Sequence, residues 1–224
     1  MDKFDKFLWR INGFIILSVG ISALIAVTFI FLDFQKRDVQ NVVSIKKEDI
    51  ESSIELEIGY FQKINSNADF LAPLYLTQNI DRSYYSKNSS NNIKNYLFVN
   101  LNRNIQKWLF NTNEYLIFEK RDIYKVANSH RAEEISNFLF TVIRADSNGD
   151  EVLNYQDRKD IYISEIDGSN LTLILKDIDK IVSISQYENN LIAIFYEKDS
   201  KIYSSKINTF LRKEIENLKI KDTL

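Results

Sequence analysis

The chain has no cysteine, one histidine, one proline and only five glycines among its 224 residues. Without cysteine there can be no disulfide, no thiolate metal site, no cysteine nucleophile and no lipid-modified cysteine anchor. One histidine, His130, excludes a His-based zinc site by count. A Ser-His-Asp triad would have to use His130. However, no G-x-S-x-G surrounds any serine, and the segment NSHRAEE around it reads as polar surface. The glycines, at positions 13, 20, 59, 149 and 168, cannot be written into a Walker loop or a dinucleotide fingerprint. Paired carboxylates acting as acid and base are the one hydrolytic arrangement that counting leaves open.

No strong charge of one sign is present either. The 29 basic and 31 acidic residues are well mixed and sum to −2, so there is no clustered basic face for nucleic acid. The abundance of Ile, Asn, Lys and Tyr reads as a compositional bias of the genome rather than as function.

What is present begins with residues 11–32, which run without a charge between Arg10 and Asp33. As a helix they would reach roughly 33 Å, the length needed to cross a bilayer with some tilt. The run is longer than the apolar region of a signal peptide and has no A-x-A exit. The expectation is therefore a cytoplasmic leader over 1–10, a single transmembrane helix over 11–32, a juxtamembrane linker over 33–52 and a β-domain over 53–224. Lys3, Lys6 and Arg10 before the run are balanced by Lys36, Arg37, Lys46 and Lys47 after it. Orientation thus rests on the short leader, which favours an extracytoplasmic (periplasmic) domain on a bacterial inner membrane. Trp9 suits an interfacial anchor, and Ser18, Ser22 and Ala26 make a small-residue stripe for helix packing.

Past residue 52 the period changes. SIELEIGYFQKI alternates Ile54, Leu56 and Ile58 with Glu55 and Glu57, the pattern of a half-buried strand. SKNSSNNIKN, over 86–95, reads as a loop. Nine short strands are expected after it, at 96–101, 107–110, 115–119, 138–144, 160–166, 171–175, 181–186, 191–197 and 201–207. Helical period is confined to 129–135 and 209–218. The fold class expected of the domain is mostly β.

An Ile-Tyr pair recurs in RDIYKVA at Ile123, KDIYISEI at Ile161 and SKIYSSKI at Ile202. Each follows another apolar run and reads as the second strand of a hairpin, at a period near that of a propeller blade. With Asp167-Gly168 supplying a turn, DIYISEIDGSNLTLIL resembles the blade hairpins of TolB-like and WD40-like β-propellers. The resemblance covers about 96–208 and implies an antiparallel, blade-like β-meander. The length after residue 53 holds about four such blades. An open sheet, a sandwich or closure against a partner are the other arrangements.

The sharpest chemical motif is Asp146-Ser147-Asn148-Gly149-Asp150-Glu151-Val152-Leu153-Asn154-Tyr155-Gln156-Asp157, which resembles the calcium loop of EF-hand and dockerin proteins. The resemblance implies Ca²⁺ ligation by Asp146, Asn148 and Asp150, the Val152 carbonyl and Asp157, with Leu153 facing a core. Glu151 stands where the family pattern has Gly. The flanking segments read as strands rather than helices, which suits a structural ion. The bland alternative is an Asp/Asn turn without metal.

Tyr84, Tyr85, Tyr96, Phe98, Trp108 and Phe110 gather in one Asn-rich region, read mainly as core with a sugar- or protein-binding face as the alternative. Taken together, the sequence favours a non-enzymatic interaction or accessory subunit of a membrane complex, its partners the lipid bilayer and another protein. A carbohydrate- or ligand-binding or hydrolytic domain is the competing reading.

Overall fold

Residues 134–143 show why the chain folds as it does: EISNFLFTVI is apolar at nearly every position of its second half, so a strand here must be covered on both faces. Phe138, Phe140 and Val142 point into one core with Tyr96, Phe98, Phe110 and Ile117. Leu139 points into a second core with Ile161, Ile163, Leu175, Ile192, Ile194 and Ile207. Ile143 joins Leu76, Leu116 and Leu153 in a third, smaller cluster. Each such side chain, fully buried, contributes roughly 1.5–3 kcal/mol.

The computed structural model describes residues 20–22, 24, 43–44, 54–64, 68–78, 92–125 and 134–220. The chain divides into two units, 1–40 and 41–224. In the second the strands run β1 (Val43–Ser44), β2 (Ile54–Ile58), β3 (Gln62–Ile64), β4 (Asp69–Gln78), β5 (Asn92–Asn100), β6 (Ile105–Trp108), β7 (Leu116–Lys125) and β8 (Glu134–Ile143). They continue as β9 (Val152–Leu153), β10 (Lys159–Glu165), β11 (Thr172–Ile178), β12 (Lys180–Glu188), β13 (Leu191–Lys198), β14 (Lys201–Asn208) and β15 (Lys213–Lys219). A nine-stranded sheet has the order β11-β10-β8-β7-β5-β4-β2, with β3 also on β4 and β6 also on β5. A four-stranded meander, β12-β13-β14-β15, forms the second sheet, and β1 pairs with β9. All pairings are antiparallel.

The mostly-β expectation is confirmed, and the transmembrane helix is corrected. Among the described residues no helix is long and apolar enough to cross a membrane. Of the run 11–32 only Gly20, Ile21, Ser22 and Leu24 are described, as helix. The rest of the run lies outside the described residues. The expected leader, with Trp9, lies outside the described residues, while the expected linker contains β1.

Other boundaries moved for identifiable reasons. Residues 209–218, expected as helix, form a turn and strand β15, because Ser205 and Tyr203 on β14 offer Asn217 and Lys219 a ladder and tertiary pairing overrides local period. The segment 129–135 is described only from Glu134, which begins β8. Asn92–Asn95, expected in a loop, open β5. The Ile-Tyr pairs are not equivalent: LIFEKRDIY lies in one continuous strand, β7, whereas the stretch around Ile202 is a true β13–β14 hairpin. The Asp167-Gly168 turn is real, with Gly168 at φ 74° and packed so tightly that a Cβ would stand 2.5 Å from the Phe98 ring.

Lys94 is the costly residue of this fold. It is buried on β5, where its Nζ donates to the Glu114 carbonyl at 2.9 Å. Burial pushes its pKa down to about 8, against a smaller upward pull from the Glu114 charge. The unfolded chain keeps that proton up to about 10.5 and the folded chain releases it from about 8, so folding strengthens as pH rises through that window. Lys94→Met removes the penalty. Denaturant titration will show the variant more stable at pH 7, on the order of 2 kcal/mol, and without the wild-type gain between pH 8 and 10.5.

Candidate functional site

The segment between β8 and β10 is built by side chains standing in for a ladder. Asp146 Oδ1 accepts the Asn148 and Gly149 N–H groups at 3.2 and 2.7 Å, and its Oδ2 accepts that of Glu151 at 2.8 Å. Asn148 Oδ1 takes the Asp150 N–H at 3.0 Å and Asp150 Oδ1 takes that of Val152 at 2.9 Å. These are successive Asx turns, which only short polar side chains can make. Desolvation, the largest single effect, pushes the Asp146 carboxyl up, but the N–H groups of Glu151, Gly149, Asn148 and Asp150 together outweigh it and hold it below the ordinary carboxylate value.

Gly149 and Glu151 both take left-handed backbone, at φ 78° and 61°. Glu151 therefore adopts the conformation for which the family pattern places a glycine, at the steric cost that a Cβ brings. Val152 and Leu153 pair with Val43 and Ser44, and Leu153 is buried as expected. At the base, fully buried Asp157 accepts the Ser147 N–H and hydroxyl at 2.7 and 3.1 Å and the Asn154 N–H at 2.9 Å. Lys159 beneath it donates to the carbonyls of Tyr155, Asp157 and Asp179 at 2.7, 2.6 and 3.1 Å, so each ammonium proton has an acceptor. Burial lowers the Lys159 pKa, opposed by the charges of Asp157 and Asp179.

The five residues expected as calcium ligands thus share one loop. The side-chain oxygens of Asp146, Asn148, Asp150 and Asp157 are engaged within the protein: Asp150 Oδ2, for one, accepts the Asn148 and Asn154 side-chain amides, both at 3.1 Å. Among the described residues no group of three or more His, Cys, Asp or Glu side chains is gathered tightly enough to hold a metal ion.

The aromatic group resolves into core and surface. Tyr96, Phe98 and Phe110 are buried, while Trp108 is exposed. Burial, and to a lesser degree the nearby Tyr75 and Asp122 charges, push the Tyr96 hydroxyl far above its ordinary pKa. Tyr84, Tyr85 and His130 lie outside the described residues.

Sequence reasoning missed a polar cleft of about 390 Å³ lined by Ala68, Asp69, Asn100, Asn102, Arg103, Glu165, Ile166 and Asp167. Its residues come from the start of β4, the β5–β6 turn and the β10–β11 turn, and nothing in their local spacing links them. Asn100, opposite Asp69 in the ladder, donates its amide to Asp69 at 2.5 Å and accepts the Arg103 N–H at 2.7 Å. Glu165 is fully engaged: Oε1 accepts Arg212 and Asn170 at 2.9 and 2.8 Å, and Oε2 accepts the Ser169 hydroxyl at 3.2 Å.

No protein-family model and no curated protein matches the chain. Among solved structures it is similar to the β-propeller domain of the Trilobed protease from Pyrococcus furiosus, described as having an open velcro topology. The identity is 11%, with a TM-score of 0.36, over 75% of this chain. The chain spans 44% of that one's length.

Asp157→Ala tests the loop as a structural device. It leaves the Ser147 and Asn154 N–H groups without their buried acceptor, at roughly 1–3 kcal/mol each. Thermal and denaturant unfolding should show a loss of about 2–4 kcal/mol, and a melting point equal to wild type would deny the loop that role.

Proposed function

We propose that the β-domain is a non-enzymatic interaction module, an accessory subunit of a larger protein assembly. The observation that carries this reading is an apolar patch on the outer face of the four-stranded sheet. Ile192, Ile194 and Ile207 bury the inner face, whereas Ile202, Leu218 and Ile220 lie on the other side, 45%, 54% and 39% exposed. The register makes them neighbours. Ile220 donates its N–H to the Ile202 carbonyl at 2.9 Å, and Leu218 stands opposite Ser204, two residues along. Contiguous exposed aliphatic side chains of this kind mark contact surfaces. Of the carboxylates in the polar cleft, Glu165 has both oxygens engaged by Arg212, Asn170 and Ser169.

Tagged full-length chain, isolated from its native cells in mild detergent, should elute with a stoichiometric partner. The double variant Ile202→Asp, Leu218→Asp should lose that partner at an unchanged melting point. Elution of the wild-type chain as a lone monomer would overturn the reading.

We further propose that the 146–157 loop takes a structural Ca²⁺ ion. Hard oxygen donors at Asp146, Asn148, Asp150, Val152 and Asp157, together with left-handed backbone at Gly149 and Glu151, support it. An ion there would supply positive charge that the Asn148 and Asn154 amide protons now provide to Asp150. Calcium at a hundredfold excess over Kd should stabilise the fold by about 2.7 kcal/mol. Asp146→Asn with Asp150→Asn, which keeps oxygens for the backbone N–H groups, should abolish that gain. A melting temperature that is the same in chelator and in millimolar calcium would sink the proposal.

A further inference from the structure

The polar cleft has charges that the protein's own contacts do not consume, and their balance points to a ligand class. Glu165 is neutralised by Arg212. Of the remaining lining groups, Asp69 has one oxygen held by Asn100, and Asp167 has one held by the Ser169 N–H at 2.9 Å. The second oxygen of each has no hydrogen-bond partner among the described residues. Arg103 is exposed, and its guanidinium has no hydrogen-bond or ion-pair partner among the described residues. Lys107, on the wall of an adjoining recess rather than of the cleft itself, donates to the Gly168 carbonyl at 3.1 Å, which uses one of its three protons. Two carboxylates and the Arg103 guanidinium therefore remain available in the cleft, with the Lys107 ammonium beside it on the recess wall.

The walls are held in place before anything binds. Gly168 is wedged against the Phe98 ring, Lys107 ties β6 to the β10–β11 turn, and Ser169 and Asn170 tie that turn to Glu165. Fixed walls reduce the ordering cost of binding. Phe70, Phe98, Ile105 and Ile166 line an adjoining apolar recess. A volume of about 390 Å³ falls at the lower end of small-molecule sites.

We propose that this cleft binds a small zwitterion of the amino-acid or short-peptide class, its carboxylate on Arg103 and Lys107, its ammonium on Asp69 and Asp167, and an apolar side chain over the recess. A purely anionic ligand would meet Asp69 and Asp167, and a purely cationic one Arg103 and Lys107; a zwitterion satisfies both pairs. This goes beyond the interaction reading, which uses the outer face of the other sheet, so either can fail alone.

Isothermal titration of the full chain in mild detergent tests it with L-leucine, L-phenylalanine and Leu-Leu as probes. N-acetyl-leucine lacks the ammonium, leucinamide lacks the carboxylate, and glucose is a polyhydroxyl control. At least one zwitterion should bind, with the blocked derivatives at least tenfold weaker. Arg103→Gln should weaken the zwitterion at least tenfold and leave leucinamide unaffected, while Asp167→Asn should weaken the zwitterion and leave N-acetyl-leucine unaffected. Both residues sit in turns, so melting points should match wild type. No binding of any zwitterion at millimolar concentration, binding indifferent to Arg103→Gln, or binding of glucose instead would each overturn the proposal.

Discussion

The double-sided burial of β8 is the constraint on which the rest depends. Once Phe138 and Phe140 are committed to one face and Leu139 to the other, the chain must supply cover on both sides, and it does so with different material. Aromatic side chains from β5 and the segment after β6 fill one core, where Tyr96 packs on Phe140 at 5.6 Å and Phe98 on Phe138 at 6.0 Å. Isoleucines fill the other, where β10 and the inner face of the four-stranded sheet meet. β-branched side chains lock few rotamers on a pleated surface, and aromatic rings bring area that a thinner contact would lack. The four-stranded sheet is thus recruited through one face, which leaves Ile202, Leu218 and Ile220 exposed on the other among the described residues.

β10 carries the consequence to the polar regions. Its centre, Ile161 and Ile163, is fully buried beside β8. Lys159 at one end holds the Asp/Asn loop through two of its carbonyls and ties it to the Asp179 carbonyl between β11 and β12, and Glu165 at the other holds the turn that walls the cleft. Seven residues of strand separate these ends by about 20 Å. A core strand thereby anchors two separate sites, each of which is then shaped by its own hydrogen bonds.

This division explains what was legible in the sequence. Strands whose apolar residues alternate or run together, such as 138–144 and 191–197, declare themselves because period two is a local property. So does the Asp/Asn loop, whose Asx turns need only residues within five positions of one another. β4 was missed because Pro73 and the polar end of DFLAPLYLTQ break its pattern, although Pro73 needs no N–H where Gly59 donates to its carbonyl at 2.8 Å. β15 was misread because KEIENLK has charges at helical spacing, while its ladder partner lies on β14. The cleft was invisible for the same reason at longer range: Asp69, Asn100 and Asp167 acquire a relation only when β4, β5 and the β10–β11 turn have been placed.

The Asp/Asn loop shows that reading a motif and assigning its chemistry are separate steps. Carboxylates at its first and fifth positions and an amide at its third serve two purposes with one geometry, since the oxygens that would surround a hard cation also accept the backbone N–H groups that bend the chain around it. A loop that folds through its own N–H donors is pre-shaped before an ion arrives, so an ion need not organise the backbone; it has only to displace the Asn148 and Asn154 amide protons from Asp150. That exchange sets the scale of any ionic stabilisation. It is the difference between a divalent charge and two neutral donors at the same oxygen, while the bend itself, anchored by Asp157 in the protein interior, persists in either state.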